Sequence, residues 1–233
     1  TNGGESGGLY VTVGTTTTDD KGGDITVEAG RTNGDADGGI ITVQAGKTDG
    51  ANTGNGGLIN IYAGYSAVKT GGTISMASGY GKLMSSGSIL IQTLDAGTKG
   101  VSGELMFSTG TTSSGASGSI SIGTGTASGG DGGDITIKVG DGNTLDGGHI
   151  SLFSGLTHAD AHSTGGSISI RSGYSDIRSS GTIIIRTLNA GTVGVSGELM
   201  FSTGTTSCGA SGSISIGTGT ASGGDGGDIT IKV

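Results

Sequence analysis

Two acidic, glycine-rich strings are the residues of this sequence whose types and spacing most resemble a chemical site. They are Gly129-Gly-Asp-Gly-Gly-Asp134 and its copy over Gly223–Asp228. Asp131 and Asp134, and equally Asp225 and Asp228, place hard carboxylate oxygens on tight turns, a donor type suited to calcium. The competing reading gives the same side chains a structural task, capping glycine turns through the backbone. Asp35 and Asp37, Asp19 and Asp20, and Asp141 and Asp146 have the same two readings.

His158 and His162 stand four apart with Asp160 between them. On a helix that spacing would point to zinc. Here it falls in a polar loop with no Cys or third His beside it, since His149 belongs to a different segment, and a solvated loop is the better reading. Glu104 and Glu198 are equivalent positions in two copies of one repeat, so they are not a catalytic pair. No nucleophile–base pair, carboxylate cleft or glycine loop feeding a helix can be assembled. The chain is therefore not expected to be an enzyme, and no cofactor is expected beyond the calcium candidate. The single Cys208 forms no internal disulfide framework, and Ser114 fills its place in the preceding copy.

Charge and composition exclude other classes. With 11 Lys and Arg against 19 Asp and Glu, the net charge is −8. No basic stripe exists for nucleic acid or for an anionic membrane surface. No apolar run is long enough to span a bilayer, and no signal peptide is visible. The sequence begins without Met and stops in mid-repeat, so it is expected to be an excerpt. With 55 Gly among 233 residues and aromatics at 3%, the composition resembles low-complexity chains. Against that stands the ordered spacing of its hydrophobic residues.

The segment Gly103–Val139 returns as Gly197–Val233 at an offset of 94, altered only where Ser114 becomes Cys208. Inside it runs a shorter repeat anchored on Gly7, Gly23, Gly39, Gly57, Gly72, Gly87, Gly103, Gly118, Gly133, Gly148, Gly166, Gly181, Gly197, Gly212 and Gly227. Spacing is mostly 15 or 16. The second residue after each anchor is Ile or Leu, as in Ile25, Ile41 and Ile120. The fourth is always apolar, as in Val27, Val43 and Ile122, and the sixth is Ala, Ser, Thr or Val. Alternation of period two predicts strands with one buried and one wet face. A series of like strands at fixed interval predicts winding rather than hairpins.

The fold expected is all-β: a single-stranded parallel β-solenoid of about 15 coils of 15–16 residues, with a thin Ile/Val core and coils about 4.8 Å apart. It would run as one continuous solenoid over residues 1–233, in six-coil super-repeats over 7–102, 103–196 and a partial 197–233. The glycine at the seventh position, as in Gly30, Gly46 and Gly64, is expected at a corner with positive φ or crowded backbone. No single coil can fold alone, so the array must supply the stability. Everything in this reading depends on the Ile-rich edges stacking into one dry spine.

At the third position most coils carry a small polar residue. Leu90 and Met106 do not, and neither do Ile184 and Met200 six coils later; Leu94 and Leu188 interrupt the seventh-position glycines of the same coils. Leu90, Met106, Ile184 and Met200 form the candidate self-association patch, because lateral packing needs apolar surface repeated at an interval. The alternative is a local change of coil shape that covers them.

Three resemblances bear on these residues. The strings Gly129–Asp134 and Gly223–Asp228 resemble the opening of the calcium-binding nonapeptide of RTX β-rolls. They depart from it in having Thr136 at the eighth position and no tandem copy, which removes half of such a site and favours turn capping. The strings GGSISIRSG, GSISIGTGTASGG and GGDITIKV resemble the Gly/Ser/Thr-rich repetitive cell-surface and extracellular proteins of diatoms and related microalgae. That resemblance implies an extracellular or cell-surface location and a matrix, adhesive or filament role. The Thr-bearing coils also resemble insect-type ice-binding solenoids. They depart from these at the fifth position, where Glu28, Gln44, Tyr62, Lys138, Phe153 and Arg171 interrupt any Thr-x-Thr ladder. Polysaccharide-cleaving β-helices have wider coils and longer loops than this sequence provides.

The function expected is therefore that of a structural repeat protein forming an extracellular filament, fibre or surface layer by self-association, lateral or end to end. The alternative is an ice- or glycan-binding solenoid using the Thr/Ser-rich face. The partner is a second copy, with polysaccharide or ice as the alternatives; nucleic acid and membrane insertion are not expected. No Asn-x-Ser/Thr sequon is present, so N-linked glycans are not expected.

Overall fold

The computed structural model describes residues 7–17, 20–49, 54–144, 146–158 and 163–232. Among them there is no helix and no β-strand. The chain is neither all-β nor a β-solenoid, and this corrects the fold expected from period-two alternation. It divides into two units, Thr1–Ile120 and Ser121–Val233.

The reason lies in what the side chains bury. No described residue is buried, polar or apolar. The second-position side chains, from Ile25 to Ile229, retain 47–57% of their surface, and Leu9 retains 90%. Those at the fourth position retain 51–87%. The dry spine that would have held a solenoid is absent. Total accessible surface is 23723 Å² for a 22.2 kDa chain. A folded monomer of that mass exposes about 9,400 Å² and an unfolded one about 32,000 Å², so the value lies nearer the unfolded figure.

Two aliphatic side chains per unit return too little to offset the ordering of about fifteen glycine-rich residues. A solenoid would have needed a continuous backbone ladder to close that gap. Only six backbone–backbone hydrogen bonds occur among the described residues, where a folded chain of this length makes well over a hundred. On this point composition was the better guide than periodicity.

Each unit nonetheless has a recurring local form. An extended stretch carries the second to sixth positions, and the chain then bends over three residues, as at 67–69, 82–84, 98–100, 113–115 and 128–130. The second copy bends at 176–178, 192–194, 207–209 and 222–224, each 94 residues after its counterpart. Six of the loops are closed at the base by the anchor glycine. Its N–H donates to the seventh-position carbonyl of the preceding unit: Gly39 to Gly30 (2.8 Å), Gly57 to Gly46 (2.7 Å), Gly72 to Gly64 (2.8 Å) and Gly87 to Gly79 (2.9 Å). In the second unit Gly166 donates to Gly155 (2.8 Å) and Gly181 to Gly173 (2.9 Å).

These clamps explain two features of the repeat. At all fourteen junctions a β-carbon on the anchor glycine would meet the sixth-position side chain of the unit before. At Gly57 it would lie 3.2 Å from the Ala45 β-carbon and 2.9 Å from the Gly46 nitrogen; at Gly118 it would lie 3.3 Å from Thr109. Gly23 and Gly148 approach the Cγ1 atoms of Val13 and Val139 even more closely. At Gly23, Gly39, Gly57, Gly72, Gly148 and Gly166 the anchor has too little room for a side chain, whereas at junctions such as Gly133, Gly212 and Gly227 the added carbon would make only ordinary contact, at 3.5–3.6 Å, with a small sixth residue. The seventh-position glycine behaves otherwise than expected: a β-carbon at Gly30, Gly46 or Gly64 would meet nothing within 4 Å. Positive φ occurs instead in the loops, at Gly100 and Gly194 (126° each), Gly115 (97°) and Gly209 (102°).

Candidate functional site

The four carboxylates read as calcium ligands lie in loops that bend at 128–130 and 222–224, and all four are exposed. Around them Gly129, Gly130 and Gly132, and equally Gly223, Gly224 and Gly226, have open space at their β-carbon positions. Among the described residues no group of three or more His, Cys, Asp or Glu is arranged to hold a metal ion. His149 and His158 are exposed; Asp160 and His162 lie outside the described residues, as does Asp19. Glu104 and Glu198 are exposed as well.

Ion pairing is sparse. Among the described residues Lys21 Nζ meets Asp24 Oδ2 at 2.8 Å, and Lys47 Nζ meets Asp49 Oδ2 at 3.8 Å. Both pairs lie in solvent, where such contacts contribute little. Cys208 is free and exposed. Its loop holds the same turn as the earlier copy: Thr206 Oγ1 donates to the Cys208 carbonyl at 2.9 Å and accepts from the Cys208 N–H at 3.2 Å. Thr112 makes both bonds with Ser114, at 2.9 and 3.3 Å. Both turns use backbone atoms of the second residue, so exchanging Ser for Cys leaves them unchanged.

The candidate association residues are Leu90 and Met106 in the first unit and Ile184 and Met200 in the second. All four are exposed, at 68–78%. Leu90 is more open than Ile89 and Ile91 on either side of it, each at 51%. They belong to a longer series, because every second- and fourth-position side chain is exposed too. Tyr10, which holds the third position of the first repeat, is a further large side chain at such a place and is also open. The interval between the two pairs rested on the coil spacing and lapses with the solenoid.

Sequence reasoning passed over a group of loops that the structure sets apart. They share a Gly-Tyr start: Gly64-Tyr-Ser66, Gly79-Tyr-Gly81 and Gly173-Tyr-Ser175. The recurring Gly-Tyr after the sixth position was the signal available. Among the described residues no helix is long and apolar enough to cross a membrane. No family model, curated protein or solved structure matches this chain.

Proposed function

We propose that this chain is a structural repeat protein that acts by self-association, building an extracellular or cell-surface filament, fibre or layer. With the solenoid gone, the proposal no longer rests on a stacked spine. It rests on one observation: the regularly spaced Ile, Leu, Val, Met and Phe side chains are all left in water by the single chain.

Covering a Val, Leu or Ile side chain stabilises by about 1.5–3 kcal/mol. A side chain already half covered has about half of that still to gain. Thirty such positions recur through fifteen units, so a second chain with the same spacing offers matching apolar surface along its whole length. Soluble monomers rarely leave extended apolar surface open. The 94-residue duplication supports the same reading, since copying a whole block extends the interacting surface without changing its spacing.

Sedimentation velocity over a thousandfold concentration range is the direct test. Growth of large species with concentration is the expected outcome, with filaments or sheets visible by electron microscopy. A single sedimenting species of monomer mass throughout that range would overturn the proposal.

A further inference from the structure

The three Gly-Tyr loops share a construction that goes beyond the repeat. Each is clamped at its base, by Gly72 N–H on the Gly64 carbonyl (2.8 Å), Gly87 on Gly79 (2.9 Å) and Gly181 on Gly173 (2.9 Å). Two are also tied across the inside. Ser66 Oγ accepts from the Lys69 N–H at 3.0 Å, and Ser175 Oγ accepts from the Arg178 N–H at 2.9 Å. The third residue of each loop, Ser66, Gly81 or Ser175, is among the few residues of intermediate exposure in the described part of the chain. A β-carbon on Gly81 would collide with the Met84 and Ser85 carbonyls, so that loop folds inward at the same place without a serine.

With the third residue tucked in, the tip presents three neighbouring side chains. Tyr65 and Val68, Tyr80 and Leu83, and Tyr174 and Ile177 each stand three apart, at 85–92% exposure. Beside the aliphatic residue is a cation: Lys69, Lys82 or Arg178. Holding an aromatic, an aliphatic and a cation on a tied loop lowers the ordering cost of using them in a contact.

Charge indicates what the tips would meet. Residues 50–94 contain no Asp or Glu, and Lys69 and Lys82 are their only charged residues. Residues 161–197 set Arg171, Arg178 and Arg186 against Asp176 alone. The remainder of the chain therefore carries a net −12 where the whole carries −8. Within that acidic remainder, Lys21 and Lys47 already pair with Asp24 and Asp49. The loops Gly129–Asp134 and Gly223–Asp228 each offer two exposed carboxylates, with open space at Gly129, Gly130 and Gly132 and at Gly223, Gly224 and Gly226 that leaves room for a ring to approach the backbone.

We infer that the Gly-Tyr tips of one chain dock on the Gly-Asp loops of a second copy, with Lys69, Lys82 or Arg178 facing Asp131 and Asp134 or Asp225 and Asp228. This rests on the self-association proposed above and assigns its contacts. The tips at Tyr80 and Tyr174 are 94 residues apart, and so are the two acidic loops. A second copy thus carries both halves at the same sequence interval, and a first contact raises the effective concentration for the next.

The experiment is sedimentation velocity on the full chain and two charge-reversed variants. One carries Lys69→Glu, Lys82→Glu and Arg178→Glu; the other carries Asp131→Lys, Asp134→Lys, Asp225→Lys and Asp228→Lys. Each alone is expected to raise the concentration midpoint of association on the order of tenfold or more, and an equimolar mixture is expected to restore it. The second variant brings the net charge from −8 to zero, so relief of general repulsion would instead strengthen its association. That strengthening, or an unchanged midpoint in both variants while the parent chain still assembles, would overturn this inference alone. A parent chain that stays monomeric would overturn the self-association reading with it. Retention of such a monomer on a carboxylated polysaccharide, lost in the first variant, would give the tips to another partner and overturn the assignment.

Discussion

The α-carbon of Gly39 lies against Ala29 so closely that a β-carbon there would stand 3.2 Å from the Ala29 β-carbon and 3.0 Å from the Gly30 nitrogen. The Gly39 N–H meanwhile donates to the Gly30 carbonyl at 2.8 Å. Gly39→Ala should push the two extended segments of this loop base apart and break the bond, whereas Gly30→Ala adds a methyl group in open space. A single bond of this kind contributes about 1 kcal/mol. Amide exchange at residue 39 is therefore expected to quicken roughly fivefold in Gly39→Ala and to stay unchanged in Gly30→Ala, as read by nitrogen-15 NMR on the dilute chain. Equal effects from both substitutions would contradict the clamp.

That pairing marks how far the structure was legible in the sequence. The anchor glycine and the small sixth residue were both visible, and their contact accounts for both. The spacing of Ile25 and Val27 was visible too, but it fixed only which residues share a face, not whether anything covers that face. Period two is satisfied by any extended segment, and the step from extended segment to stacked coil needed burial that two aliphatic residues among fifteen could not supply. The calcium candidates were legible as residue types; what could not be read was that Asp131 and Asp134 stand open, without a third ligand gathered beside them among the described residues. The tips at Tyr65, Tyr80 and Tyr174 could not be read from residue spacing, because their distinguishing feature, a tucked third residue, is a property of three dimensions.

Gly115 and Gly209 occupy the left-handed region, with φ of 97° and 102°, each directly after a threonine-closed turn. An alanine in that region costs about 1–2 kcal/mol. Gly115→Ala is expected to displace the amide shifts of residues 112–115, while Gly110→Ala, whose β-carbon position is open, leaves them in place. Cys208→Ser is expected to leave the turn at residues 206–209 as it is, since Ser114 already stands in the same turn at residues 112–115. Disturbance of the 206–209 turn by Cys208→Ser would contradict the backbone origin assigned to it.

Cys208 is exposed in the single chain. At concentrations below the onset of association, a thiol reagent is expected to label one site per chain at the rate of a free cysteine, without denaturant. Protection that disappears only in denaturant would show a buried thiol and contradict the placement.

Calcium should bind weakly. Among the described residues no third His, Cys, Asp or Glu joins Asp131 and Asp134 in a metal-holding group, whereas a tight site uses six to eight oxygens. Titration calorimetry is expected to give no saturating binding below about 1 mM, a range typical of weak extracellular modules. Stoichiometric binding at micromolar calcium, lost in Asp131→Asn with Asp134→Asn, would contradict the open geometry of this loop.

The apolar series should set the strength of assembly. Ile120→Ser with Ile122→Ser removes side chains that are 55% and 76% exposed, together about 2 kcal/mol of burial still to be gained at the lower end of the usual range. Such a loss corresponds to about a thirtyfold rise in the concentration midpoint. Sedimentation velocity would register it, and Ser121→Ala, on the opposite face of the same segment, is expected to leave the midpoint within about twofold.

Hydrogen exchange followed as a function of protein concentration tests most directly whether these side chains find cover within one chain or between chains. Amides of the extended stretches, such as those of residues 119–123, are expected to exchange freely in dilute solution and to become protected as the concentration rises. Strong protection that is already complete at the lowest concentration, and indifferent to dilution, would mean an internal core and would contradict the account.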